Sequence, residues 1–457
     1  MSFNNLREFI KVLEEEGELK RIKERVSTRF ELSRLTKKYE RRCAVLFENV
    51  AGYSMPVVVG LFNKRRNIGR CIGISEAQIH DAIIKAAKHP GKVHKVNLPK
   101  GELLKSVVIK ENIDLLKILP IPFHYEKDAG HYITSGVIIA KDIETGIRNV
   151  SFARMEVKGK DKLGIMINRW RHLWKLYEKA EKKEIPLEVA IVIGPPPAVW
   201  LEGAMPDSLV PLDVDELEVA SAFMKTPLQV TKCETIDVDV PIEAEIVIEG
   251  KILPKLRELE GPFGDFAGFY DPPRDNPIVK VTAITYRKNA IYQDLLPATR
   301  EHFLLGGIPR EAALLSHIKG VVPEVKDVCL SLGSCSRFHC FVQINKRKES
   351  DPYVVITSLL SSGEVGRDLK VVVVVDEDVD IYDSESIEWA VATRVNWKQD
   401  VIFLPKMPGT VFDPSAVVAL KKTKGKEILT TKVGIDATVP LEEEHRDLFG
   451  RIKIPGM

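Results

Sequence analysis

Glutamine is scarce in this chain, with five in 457 residues against 67 Lys+Arg and 65 Asp+Glu. A surplus of charged over amide side chains is a bias of heat-adapted proteins. Cysteine is scarce too. The six thiols, at 43, 71, 233, 329, 335 and 340, are too few and too scattered for a disulfide framework and fit a reducing compartment. Cys329, Cys335, His339 and Cys340 lie close together, but C-x5-C is not a zinc knuckle. "SRFHCFVQI" also alternates like a strand, which sends neighbouring side chains to opposite faces. No zinc site is expected there. An excess of either charge is missing as well: the net charge is +2, without the basic stripe of a nucleic-acid binder. No apolar run approaches the roughly 18 residues that cross a bilayer, and "MSFNNLREF" has no secretion-signal core. The expectation is a cytoplasmic protein with no nucleic-acid partner and no membrane span.

What is present is ordinary globular material, 44% hydrophobic and 29% charged, long enough for two or three domains. "NNLREFIKVLEEEGELKRI" predicts a helix capped by Asn5, with Leu6, Phe9, Ile10 and Leu13 on one stripe and Gly17 as its stop. The first boundary is placed in "HPGKVHKVNLPKGE". From about residue 105 to 300 short branched runs such as "YITSGVIIAKD", "LEVAIVIG", "EAEIVIEG" and "IVKVTAITY" read as strands, interrupted by helical "HLWKLYEKAEKK" and "DELEVASAFM". After "REHFLLGGIPREAALLSHIKG" the order becomes α/β: "KVVVVVDEDVD" reads as a strand buried on both faces. "DSESIEWAVATRV" reads as a helix capped by Asp383, and "DVIFLPK" as another strand. The run "DEDVD" has the composition of a magnesium site, although a solvated strand end is the commoner meaning. The domains are drawn at residues 1–104, 105–305 and 306–457, giving a mixed α/β (α+β) protein.

One stretch asks for a chemical explanation. In "RELEGPFGDFAGFYDPP" at 257–273, Glu260 and Asp265 bracket a Gly-Pro-Phe-Gly turn. The turn needs Gly and Pro for its backbone angles but has no need of two acids on its shoulders. Three other segments carry polar candidates: "RNVSFAR" with Asn149, Ser151 and Arg154, "NRWRHLW" with His172, and "DVDELEVASAFM" with Glu216. Singly, each has a plain structural meaning. Asn149 can turn a corner, His172 can cap a helix, and Glu216 can close a D-x-x-E capping box from Asp213.

Together, and in this order, these segments resemble the UbiD family of prenylated-flavin-dependent decarboxylases. "LREFIKVLEEEGELKRI", "GHYITSGVIIAKDIETGIRNVSFAR", "KCETIDVDVPIEAEIVIEG", "WAVATRVNWKQD" and "KVGIDAT" are similar to family blocks along nearly the whole chain, and E-G-P-F-G-D is the most specific of them. The resemblance implies an N-terminal α/β portion, a central flavin-binding split β-barrel and a C-terminal α/β domain used in oligomerisation, as a dimer or a hexamer. It implies that Asn149, His172 and Glu216 ligate a divalent metal, usually manganese, that bridges the protein to the phosphate of prenylated FMN. Two oxygens and an imidazole suit that ion. Ser151, Ala153 and Lys370 are implied as further cofactor contacts, and main-chain oxygens around Ala204–Met205 as ligands of a potassium ion.

The same resemblance makes Arg154, Glu260 and Asp265 the catalytic trio. Losing CO₂ leaves a carbanion, which needs an electron sink that no side chain supplies and therefore a cofactor. Arg154 can hold a carboxylate with forked hydrogen bonds, Glu260 would orient Arg154, and Asp265 would protonate the vacated carbon. The implied activity is non-oxidative, reversible decarboxylation of an α,β-unsaturated or aromatic acid. Trans-anhydromevalonate 5-phosphate of isoprenoid synthesis is the preferred substrate, ahead of a polyprenyl-hydroxybenzoate or other quinone precursor and simple hydroxybenzoates. A flavin prenyltransferase would supply the cofactor. A split-barrel flavin oxidoreductase or a non-catalytic assembly protein would have no use for the Arg-Glu-Asp trio.

Overall fold

The computed structural model describes residues 2–99, 106–423, 427–450 and 452, so the boundary drawn at 104/105 lies outside the described residues. The chain forms two compact units, residues 1–306 and 307–457.

In the first unit, the helix Leu6–Glu15 starts where expected, with the Asn5 side chain accepting from Glu8 N, and buries Leu6, Phe9, Ile10 and Leu13. Gly17 ends it in the left-handed region, at φ +70. The four-stranded sheet that follows runs Leu19–Ile22, Ala44–Phe47, Val57–Val59, Tyr292–Gln293. Its last strand thus comes from the far end of the β-rich stretch.

That stretch builds a nine-stranded antiparallel sheet. Its order is Tyr132–Ile133, Met155–Gly159, Lys162–Ile165, Arg274–Arg287, Ile246–Glu260, Leu187–Ile193, Val137–Lys141, Arg148–Phe152, with Ser106–Ile109 also paired to Arg274–Arg287. Only Ala153 and Arg154 join the last strand of this order to the second. In a flat sheet those two strands would stand about 29 Å apart, at ~4.8 Å per strand. The short link can span only about 10 Å. The sheet must therefore curl until its two ends meet, and Arg154 sits on the seam. The helix His172–Lys182 lies on this sheet through Leu173, Leu176, Tyr177 and Ala180, an apolar stripe of helical period. That packing also buries His172 at its N-terminus. Inside, Ile138, Ile191, Ile193, Ile246 and Ile248 form part of one continuous core.

The second unit is a five-stranded mixed sheet in the order Val325–Leu330, His339–Ile344, Val371–Asp376, Leu429–Asp436, Val401–Pro408. Val371–Asp376 is central, with Val372 to Val375 buried as its valine run requires. Asp383 caps the helix Ser384–Arg394 by accepting from Glu385 N and Ser386 N. The acidic run does not gather a cation of its own: Asp376 and Asp378 meet Arg394 at 3.4 Å and 2.6 Å. It is a strand end neutralised by an arginine. None of the six cysteines is in a disulfide. Among the described residues no group of three or more His, Cys, Asp or Glu side chains is arranged to hold a metal, and no helix is long and apolar enough to cross a membrane.

Candidate active site

Glu260 is the last residue of the long strand Ile246–Glu260, and its register partner is Arg274, the first residue of the strand Arg274–Arg287. Between them Gly261, at φ +96, turns the chain into a short hairpin in which Phe263 faces Asp271 and Gly264 faces Tyr270. Asp265 opens the hairpin tip, with its N–H donating to Phe269 O at 3.0 Å and Gly268 at φ +79 reversing the chain. This geometry carries Glu260, Asp265 and Asp271 to one end of the sheet, where the seam places Arg154.

Arg154 gathers all three acids. Its Nε and Nη2 donate to the two oxygens of Glu260 at 3.0 and 3.1 Å, Nη1 donates to Asp265 Oδ2 at 3.0 Å, and Nη2 also donates to Asp271 Oδ2 at 2.8 Å. The guanidinium lies over the Phe263 ring, 4.7 Å from its centroid. Burial works against its charge, but Glu260, with Asp265 and Asp271 behind it, outweighs burial and holds Arg154 more firmly protonated than usual. The forked edge that was to grip a substrate carboxylate is therefore taken by Glu260. Of the five guanidinium N–H groups, the one with no partner among the described residues is on Nη1, beside Asp265. The side chains of Glu260 and Asp271 are 0% and 5% exposed, and that of Asp265 is 17% exposed. Asp265 is the acid of the three that solvent can reach.

Two further acids hold the turn by its backbone. Asp128 accepts from Gly264 N at 2.7 Å and from Tyr125 N at 2.9 Å. Glu156 accepts from Gly261 N at 3.1 Å. The Tyr125 ring fills the space where a Cβ on Gly264 would stand, 2.6 Å from the nearest ring carbon, so this position admits only glycine. Burial, then Glu260 and Glu156, push the Tyr132 phenol up, which keeps it neutral beside them.

The second cluster forms around Glu216. Asn149 and Ser151 lie two apart in the strand Arg148–Phe152 and so share a face; Asn149 is within the strand, not at a corner. Glu216 is the first residue of the helix Glu216–Ala222, whose cap is Asp215 accepting from Leu217 N at 3.0 Å. The capping box from Asp213 is thus absent, and the Glu216 carboxylate is left for other partners. It accepts from Asn149 Nδ2 at 2.7 Å and from Val150 N, and lies 3.3 Å from His172 Nδ1. His172 is the first residue of its own helix, and its N–H donates to Asp207, which also pairs with Arg171 at 2.9 Å. Asn149, His172 and Glu216 are all buried.

Glu202 lies beside this cluster, on the helix Pro197–Glu202 that Phe62 and Phe152 hold through Trp200. It is 1% exposed, and its Oε2 has no hydrogen-bond partner. Burial first, and Glu216 second, push its carboxyl well above the usual carboxylate range. Two buried carboxyls with one orphaned oxygen, next to an imidazole, are what a divalent cation relieves, and the Asn149 amide, whose Nδ2 now donates to Glu216, carries an oxygen for the same ion. The residues present fit such an ion. The Met205 carbonyl, expected to hold potassium, already accepts from Arg171 Nη2 at 3.0 Å. Ser151 is buried and donates to Asn149 Oδ1 at 3.4 Å, and Ala153, just past the end of that strand, is partly buried against the core. Lys370 belongs to the second unit, where it pairs with Asp413 at 3.0 Å and meets Ser415 Oγ at 3.2 Å.

Asp271, Asp128, Glu156, Glu202 and Asp207 were not among the expected site residues. Asp271 stands in the same stretch, 257–273, as Glu260 and Asp265, and Glu202 and Asp207 flank "GAMP" in another acid-bracketed turn.

Family models cover most of the chain. The 3-octaprenyl-4-hydroxybenzoate carboxy-lyase N-terminal, Rift-related and C-terminal domains match residues 10–87, 94–300 and 303–437. An anhydromevalonate phosphate decarboxylase of Methanothermobacter thermautotrophicus is 38% identical over 95% of this chain and 97% of its own. The UbiD-class enzyme HmfF from Pelotomaculum thermopropionicum, in complex with FMN, superposes with a TM-score of 0.93 at 43% identity, covering 99% of this chain and 98% of that one. An evolved dimeric form of HmfF in complex with prFMN gives a TM-score of 0.89 at 43% identity, with the same coverage. With three consecutive domain models in register and the E-G-P-F-G-D turn closed on its arginine, this chain belongs to the UbiD family of carboxy-lyases.

Proposed function

We propose that this carboxy-lyase removes CO₂ from an α,β-unsaturated or aromatic acid at the Arg154 cluster, with prenylated FMN as cofactor. The observation that carries the site assignment is the convergence of Glu260 and Asp265 on one buried arginine. Asn149, His172 and Glu216 would hold a divalent ion, manganese by the donor set, and with Ser151 the cofactor phosphate. When bound, prenylated FMN supplies the electron sink for the pair left by the departing CO₂. The chain does the rest. The remaining Nη1–H of Arg154 orients the substrate carboxylate next to Asp265. Glu260, bidentate and sealed from solvent, keeps the guanidinium in plane. As the bond to the carboxylate carbon breaks, Asp265 delivers its proton to the carbon that bore it. Solvent then restores that proton, for which the partial exposure of Asp265 leaves a route.

Trans-anhydromevalonate 5-phosphate is the proposed substrate, supported by the name of the Methanothermobacter relative and by its near full-length match. The test is a decarboxylation assay across a panel: that compound, polyprenyl-hydroxybenzoates and simple hydroxybenzoates. The protein is first reconstituted with prenylated FMN, the product of a flavin prenyltransferase, and manganese under low oxygen. Turnover of the phosphorylated acid above the others is expected. A protein that retains only ordinary flavin by spectrum and mass, and decarboxylates nothing, would reverse the assignment in favour of a flavin oxidoreductase.

A homo-oligomer of two or six copies is also proposed. The second unit leaves Trp397 and Phe403 64% and 65% exposed, and large aromatics in water are the usual core of an interface. Light scattering at micromolar concentration should give a multiple of the chain mass; a monomer would contradict the proposal.

A further inference from the structure

Asp271 has no role in the proton-transfer scheme above, yet it is nearly as buried as Glu260 and sits on the same guanidinium. The geometry points to Asp271 as a positioning residue that supplies the second counter-charge of Arg154, so that Asp265 need not ionise to serve as its partner. The inference rests on Asp265 being the proton donor.

The charges can be followed residue by residue. Arg154 shares its Nη2 between Glu260 and Asp271, at 3.1 and 2.8 Å, while Asp265 meets Nη1 alone. The other oxygen of Asp271 accepts from Arg274, and the other oxygen of Asp265 accepts from Phe266 N at 2.6 Å. With Glu260 and Asp271 ionised, two carboxylates balance the two guanidiniums and Asp265 faces a locally neutral group. A neutral surrounding leaves a carboxyl free to keep its proton, whereas an unbalanced cation beside it drives the proton off. Arg154 thus has its counter-charges without drawing on Asp265. Also around the cluster stand Glu156 with Lys158 at 2.9 Å, Tyr132, Tyr125 against Gly264, His302 with its ring 6.1 Å from that of Phe266, and Asp128, which is occupied by two backbone N–H groups. None of them replaces Asp271 on Arg154.

The experiment compares pH–rate profiles of the reconstituted enzyme and of Asp271→Asn, Asp271→Glu and Arg274→Gln. Asp271→Asn keeps an oxygen for Nη2 but removes the charge. The basic limb of kcat should move down by about one pH unit, the lower end of what one neighbouring charge does. Above that limb the rate should fall about tenfold. Asp271→Glu should leave the limb in place, and Arg274→Gln should move it up, by less because Arg274 is 35% exposed and screened. Infrared difference spectra against Asp265→Asn give a second reading: the protonated-carboxyl band of Asp265 should vanish at lower pH in Asp271→Asn. A uniform rate loss at every pH, with limb and band unmoved, overturns the inference and leaves Asp271 a packing residue. An Asp265→Asn enzyme with wild-type turnover overturns the donor assignment instead, so the two failures are distinguishable.

Discussion

Asp265→Asn enzyme loaded with prenylated FMN and manganese should bind substrate normally and turn over about 10²–10⁴-fold more slowly, the range for losing a positioned acid. That is about 3–5 kcal/mol of barrier. The substitution is nearly isosteric. The amide oxygen can keep one of the two bonds the carboxylate now accepts, from Arg154 Nη1 at 3.0 Å or from Phe266 N at 2.6 Å, and Asp128 and Glu156 still hold the turn by its backbone. Decarboxylation in deuterated water should place one deuteron on the carbon that carried the carboxylate, and exchange at that carbon of the product should also need Asp265. Glu260→Gln should fail differently. Glu260 holds Arg154 by two bonds and is itself held by Asn276 Nδ2 at 2.9 Å. Its loss loosens the arginine, so KM should rise along with the fall in kcat. Near wild-type turnover and exchange in Asp265→Asn would pass the donor role to Glu260.

The second large effect is expected at the buried carboxyl cluster. Glu216→Ala and His172→Ala should lose manganese-dependent retention of the flavin, measured as metal content and flavin absorbance after gel filtration. Removing the Glu216 carboxylate strands Asn149 Nδ2 and Val150 N, which costs about 1–3 kcal/mol per unsatisfied group. Glu216→Gln separates that damage from metal loss. It preserves an acceptor for Val150 N and removes only the charge, so it should fold with an unchanged far-ultraviolet spectrum and still release the metal. Full retention of metal and flavin by Glu216→Gln and His172→Ala would remove these residues from the metal site. An unfolded Glu216→Gln protein would show that the carboxylate serves the helix start alone.

The sequence announced residues whose chemistry is local and hid those that depend on distant packing. Glu260 and Asp265 were legible because one tight turn, built by Gly261, Pro262 and Gly264, holds them together. Asp271 stood in the same quoted stretch, but its approach to Arg154 depends on the pairing of Phe263 with Asp271, which no periodicity announces across two-residue strands. Glu202 was invisible for a different reason: only the packing of the helix Pro197–Glu202 beside the helix Glu216–Ala222 brings the carboxyls together. Of the two aspartates competent to cap the second of these helices, Asp213 and Asp215, the adjacent one is used, so the helix starts where the run "DELEVASAFM" does. The N-terminal helix and the valine strand were legible in full, since amphipathic period and uninterrupted β-branching leave little choice. The strand Tyr292–Gln293 is too short to carry a pattern. The curl of the central sheet follows from pairing order, which composition does not contain.

The braces on the catalytic turn separate its shape from its chemistry. Asp128 and Glu156 hold Gly264 and Gly261 by main-chain N–H groups, so the backbone path through the turn does not depend on which acid stands at position 265. An aspartate or a glutamate can be mounted on the same bracket, and under the proposed mechanism the choice sets how far the proton reaches. Acid length at 265 is then an adjustable ruler: a lineage could refit it to a bulkier or flatter substrate by one substitution, without redesigning the arginine, the hairpin or the barrel that carries them.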